Sequence, residues 1–143
     1  MSAEGVRTPR EVAEEWVRLR REWNTEETLK ALVELYADDV VIDVPFAKPR
    51  GRVEGRARLE EMTRGTVGRL RARLTDAVLH TAADDPEVVV VEFGTQGEVP
   101  ATGRSFDTRN VVVMRVRDGR IAESHDYHDH VALGEAMGAG ADH

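Results

Sequence analysis

Residues 123–130 read ESHDYHDH and gather His125, His128 and His130 around Asp126 and Asp129, in a chain with five histidines and no cysteine. Such a set suits metal coordination, acid–base transfer, or nothing more than a solvated strand end. On a strand, alternate side chains share a face. Ser124, Asp126 and His128 then point one way, and Glu123, His125, Tyr127 and Asp129 the other. His125 and His128 diverge, so only His128 and His130 are aligned for one ion. Neither thiolates nor the helical His spacing of strong metal motifs is present to complete a site. The expectation is no metal, with a carboxylate and an imidazole left on one face, the pair that general acid–base chemistry uses.

Asp43 follows the same logic on an earlier strand, where Val41 shares its face and Ile42 and Val44 take the other. It is read either as a polar orienting group in a site or as a cap for the loop at Pro45. Glu92 interrupts the apolar run EVVVVEF as a second candidate buried carboxylate. Trp16 suits helix packing and, in addition, a substrate platform.

These groups need elements to hold them. Thr8-Pro9-Arg10-Glu11 offers an N-cap, a proline in the first turn and a glutamate to close a capping box. Val12, Trp16, Leu19 and Trp23 then share one helical face, and after Thr25 a second stripe carries Leu29, Leu32, Val33 and Tyr36. VVIDVPF reads as a strand ended by Pro45, followed by a glycine-punctuated loop and an Arg-rich helix through Leu59 and Met62, extended toward Val67 and Leu70. Strands are expected at 72–82, 87–93, 106–117 and 120–128, with a hairpin turn at Asp118-Gly119. The order α-α-β-α-β-β-β-β predicts an α+β fold in which a curved, mostly antiparallel sheet wraps three N-terminal helices. The opening of that cone is where a small molecule would enter.

The chain of 143 residues suits one domain spanning 1–143, and 41% hydrophobic with 33% charged residues is a globular balance. The net charge of −7 argues against nucleic acid as a partner, although residues 48–73 carry nine Lys or Arg against three Glu. That run is read as a solvated face or an anion-steering patch. No apolar run approaches a membrane span, and MSAEGVRTPR lacks the apolar centre of a signal peptide, so a cytoplasmic protein is expected.

Two stretches carry a family resemblance. GTQGEVPATGRSFDTRNVVVMRVRDGRIAESHDYHD and LYADDVVIDVPFAKPRGRVEGRARLEEM resemble the SnoaL-like polyketide cyclase branch of the NTF2-like superfamily, which is related to ketosteroid isomerases and limonene epoxide hydrolases. The resemblance implies a homodimeric cone with its pocket inside and no metal or organic cofactor. It places Asp126 within the cone as general base, with His128 beside it as proton donor or relay and Asp43 as an orienting group. Val41, Phe46, Met62 and Met114 would supply apolar wall, with Trp16 as platform. The implied activity is a cyclase or isomerase of secondary metabolism acting on a polyketide-like or other enolisable carbonyl compound. The alternatives are a noncatalytic module for a small hydrophobic ligand and an epoxide hydrolase. The last needs Arg and Asp two apart on the strand that here reads EFGTQG, which has neither in that arrangement.

Overall fold

The computed structural model describes residues 5–138. Helix α1 (Pro9–Arg21) opens on the expected capping box, Thr8 N–H donating to Glu11 Oε1 at 2.8 Å and Glu11 N–H to Thr8 Oγ1 at 3.1 Å. Helix α2 (Glu26–Val33) opens in the same way, with Thr28 as the reciprocal partner of Thr25. Between them the helix stops because Asn24 is tied to the sheet. Its amide donates to Leu70 O and its side-chain oxygen accepts from Ala72 N–H, both at 2.8 Å. Trp23 therefore leaves the α1 stripe and lies half-buried beneath the Arg71 guanidinium, 3.9 Å from the ring centroid.

Six strands follow, interrupted by one helix and ended by another: β1 (Tyr36–Val44), β2 (Gly51–Glu54), α3 (Arg56–Arg64), β3 (Arg71–Thr81), β4 (Val88–Val99), β5 (Arg104–Arg117), β6 (Arg120–Tyr127) and α4 (His130–Met137). The sheet order is β2-β1-β6-β5-β4-β3, antiparallel throughout except for the parallel pair β1–β6. The expected α+β cone is present. Four details differ from expectation. Tyr36 begins β1 rather than continuing α2, and Val67 and Leu70 fall beyond the end of α3. Strand β2 has only Val53 buried, and α4 follows the histidine run, so neither carried a strong periodic signal. The expected turn at Asp118-Gly119 has positive φ at both residues (55° and 76°), the requirement of a two-residue hairpin whose twist matches its strands. The terminal GAGADH run lies, beyond Gly138, outside the described residues.

The concave face and the helices enclose one core. Val12, Trp16 and Leu19 of α1 pack with Ile42, Val89, Val91, Phe93, Val112, Met114 and Ile121 from the strands. The convex face carries two cross-strand rows, Val78–Glu92–Val111–Tyr127 and His80–Val90–Val113–His125, the second continued by Asp43. Register fixes this division, since a residue directly opposite another shares its face.

Candidate active site in the cone

Strand β6 places Ser124 and Asp126 on the concave face, opposite Met114 and Val112 of β5. Ser124 is buried and its hydroxyl donates to Asp126 Oδ1. Burial pushes the Asp126 carboxyl above the usual carboxylate range, against the Ser124 hydrogen bond and the charges of Arg20 and His125. Tyr36, at the start of β1, accepts from Trp16 Nε1 at 3.0 Å. Burial first, then the Asp126 charge, pushes its phenol up to about 12, so it stays neutral.

Arg20 is the group that sequence reading missed. It sits one turn beyond Trp16 on α1, with its guanidinium 4.4 Å from the Trp16 ring centroid and 5.6 Å from that of Phe93. These rings meet edge to face at 5.3 Å. Burial lowers the pKa of Arg20, against the Tyr36 and Asp126 terminal groups. The available signal was spacing: Val12, Trp16 and Arg20 recur every four residues, so the cation continues the buried stripe.

His128, just past β6, lies with Nδ1 3.2 Å from Asn110 Oδ1. The Asn110 amide donates to Thr95 Oγ1 at 2.9 Å and Thr108 Oγ1 at 3.3 Å, so its oxygen is left to accept. That orientation assigns the proton of His128 to Nδ1 and leaves a lone pair on Nε2. Burial, then the charges of Arg20 and His130, push His128 down to about 4, so the ring is neutral near pH 7. The His130 ring meets it edge to face at 5.8 Å, with its own Nε2 buried and unpartnered among the described residues.

Two cavities reach this polar row. One of about 220 Å³ lies between α1, α2, the end of α3 and strands β3 and β4, walled by Leu19, Leu29, Leu32 and Leu74 with Arg20 and Thr95 among its polar lining. Another, of about 270 Å³, opens at the sheet end on the convex side, where Glu92, Val111 and Tyr127 line it together with Phe46, Asn110 and His128. Asp126 lines neither of them.

The other expected site residues are placed differently. Val40 and Ile42 take the core side of β1, so alternation turns Val41 and Asp43 outward, onto a convex-face cavity of about 810 Å³ shared with His125. There Arg50 holds Asp43 in a two-point ion pair, Nε to Oδ1 at 3.1 Å and Nη2 to Oδ2 at 2.5 Å. That hydrogen bonding lowers the Asp43 pKa, so the residue is no base inside the cone. Phe46 is 63% exposed after β1, its ring 5.2 Å from Tyr127. Met62 is 43% exposed on α3, whereas Met114 is sealed in the core at 0%. Trp16 packs in that core while supporting Arg20. Glu92 faces outward beside His80, 2.5 Å from its Nε2. Among the described residues no three His, Asp or Glu side chains are grouped to hold a metal, and no helix is long and apolar enough to cross a membrane.

Comparison with known proteins agrees with this architecture. The chain is 28% identical over 116 residues to the uncharacterized protein YesE of Bacillus subtilis, covering 79% of this chain and 78% of that one. A solved structure of a provisionally assigned isomerase from Bacillus subtilis superposes with a TM-score of 0.80 at 25% identity, covering 92% and 93% of the two chains. A provisionally assigned polyketide cyclase from Pseudomonas putida KT2440 gives 0.77 at 20% identity, covering 91% and 98%. The profile of the SnoaL-like domain matches residues 13–124, most of the cone from α1 into β6, and the chain belongs to that family.

Proposed function

We propose that this protein is a cofactor-independent acid–base catalyst of secondary metabolism, a cyclase or isomerase acting on a small enolisable carbonyl compound. The observation that carries this reading is the Asp126 carboxyl, half-buried on the concave face beside Ser124, with its pKa raised by desolvation. A carboxylate with such a pKa is a stronger base than one in water. Asp126 takes the proton from a carbon beside the carbonyl. The C–H electron pair forms the new C=C bond, and the carbonyl π pair moves to oxygen. In isomerisation of a β,γ-unsaturated carbonyl the dienolate takes the proton back from Asp126 at the γ carbon. The C=C pair supplies that bond while the carbonyl re-forms and the double bond rests between the α and β carbons. In cyclisation the enolate carbon attacks a second carbonyl carbon, and the alkoxide so formed takes the proton. The neutral His128, its Nδ1–H held by Asn110 and its Nε2 available, supports a role as a relay that takes and returns a proton at Nε2, rather than as a standing proton donor.

The family's isomerase and cyclase neighbours favour this class, in line with the site chemistry. The test is exchange of the α-protons of small 1,3-dicarbonyl compounds into D₂O, followed by NMR. Exchange above the buffer rate that disappears in Asp126→Asn supports the reading, and no enhancement across a panel of such compounds sinks it. A noncatalytic binding module is the competing reading, favoured by the absence of Asp126 from the walls of either cavity. Saturable binding without exchange is its signature.

We also propose that two copies pair through the convex face. Val78, 51% exposed, stands across Glu92 from Val111 and beside the row of Val90 and Val113, a largely apolar strip on the convex face.

A further inference from the structure

We propose that the cone selects ligands bearing a carboxylate, and that Arg20 is the residue that binds it. This deepens the acid–base reading by naming a substrate class, and it rests on that reading for the chemistry but not for the binding.

The argument is an inventory of the 220 Å³ cavity. Its polar lining comprises Arg20, Glu22, Asn24, Thr28, Thr63, Thr66, Arg73 and Thr95. Most of these groups are already engaged. Asn24 is bound to Leu70 O and Ala72 N–H, and Thr28 to its capping partner Thr25. Thr63 and Thr66 donate to Glu60 O and Thr63 O, Arg73 donates to Gln96, and Thr95 accepts from Asn110. Glu22 is exposed at the rim.

Arg20 alone is both within the cone and unspent. Its guanidinium makes no hydrogen bond and no ion pair with another described residue, although it carries five N–H donors. Trp16 and Phe93 support it from the core side, and the same side chain lines the cavity. A half-buried cation without a carboxylate partner is costly, and a ligand anion relieves that cost. The internal groups nearest in charge do not relieve it. Tyr36 is a neutral phenol, and Asp126 makes no hydrogen bond or ion pair with the guanidinium, its described partner being Ser124. A planar carboxylate matches the guanidinium edge with two parallel hydrogen bonds, and the small leucine-lined volume favours a compact apolar body behind it. Arg73 at the mouth adds attraction for the same charge.

The experiment measures binding without turnover. Benzoate, cinnamate, hexanoate and acetoacetate are titrated by NMR against the matched amides, on the wild type and on Arg20→Gln, Arg20→Lys and Asp126→Asn. At least one acid binds the wild type about tenfold or more tighter than its amide, the discrimination expected of a charge-assisted pair. Arg20→Gln abolishes the preference, and Arg20→Lys keeps part of it, which guards against loss by misfolding. Asp126→Asn keeps or increases the preference while losing proton exchange, so failure of the base and failure of the anion site appear in different measurements. Equal affinity for every acid and its amide in the wild type, or a preference that survives in Arg20→Gln, overturns the proposal.

Discussion

Arg20 on α1 and Asp126 on β6 act on each other's ionisation across the cone without a hydrogen bond or ion pair between them. The same cation depresses His128, so the carboxylate and the imidazole of one sheet face are linked through a helix residue rather than to each other. A cation placed there lowers the cost of ionising Asp126 and raises the cost of charging His128.

Asp126→Asn keeps the shape of the side chain and its bond from Ser124 but removes the proton acceptor. Proton exchange or turnover should fall roughly 10²- to 10⁴-fold. Melting temperature should hold or rise, because a buried ionisable group is gone. A folded Asp126→Asn that exchanges protons at the wild-type rate moves the base elsewhere.

Stability should respond to pH through both groups, with opposite signs. His128 is pushed from its ordinary value down to about 4, so between pH 4 and 6.5 the unfolded chain binds more protons. Its contribution is fully present above pH 6.5 and is lost as pH falls toward 4, on the order of 3 kcal/mol in all. Asp126 is raised, so the folded state holds its proton longer and that contribution is lost as pH rises through the raised value. Urea unfolding across pH 4–7 should be flatter in His128→Phe than in the wild type, and steeper upward in Asp126→Asn. An unchanged slope in His128→Phe refutes the assignment.

Tyr36→Phe should cost about 1–3 kcal/mol, because the buried Trp16 Nε1–H loses its acceptor. The same change removes a neighbour of Arg20 and should shift anion affinity as well as stability. Denaturation and titration on one preparation check both effects, and a stability equal to wild type denies the bond its role.

The convex-face pairing predicts a mass near twice 15.9 kDa in light scattering at micromolar concentration. Val113→Glu, which puts a charge in the middle of the apolar strip, should give a folded monomer. A wild type that is already monomeric removes the pairing.

Much of this was legible from periodicity. The alternation at residues 123–130 put Ser124 and Asp126 on one face, which the family resemblance turned inward, and the two capping threonines fixed the starts of α1 and α2. Alternation also separated Asp43 from Ile42, yet it does not say which face is the core. That was decided by the parallel pairing with β6, a contact between distant segments, so Asp43 was assigned to the wrong side. Met114 and Met62 show the same gap, since their types suit a pocket wall whether the position is sealed, as at Met114, or open, as at Met62. Arg20 was hidden for the opposite reason. A charged residue on an apolar stripe reads as an end of the stripe, and only the rings of Trp16 and Phe93 beside it show that the stripe continues.

The position of β6 between β1 and β5 makes it the keystone of the sheet, although it is the last strand synthesised. Until it arrives on the ribosome, the partner edges of β1 and β5 are both open, and their unpaired amides are templates for other chains. Closing β1 against β6 is a contact of long sequence separation, which is slow to form. The strand that carries Asp126 is therefore also the one that seals the nascent domain. A chain cut short before Ser124 should be prone to aggregate, and closure of the sheet and the proposed base rest on the same eight residues.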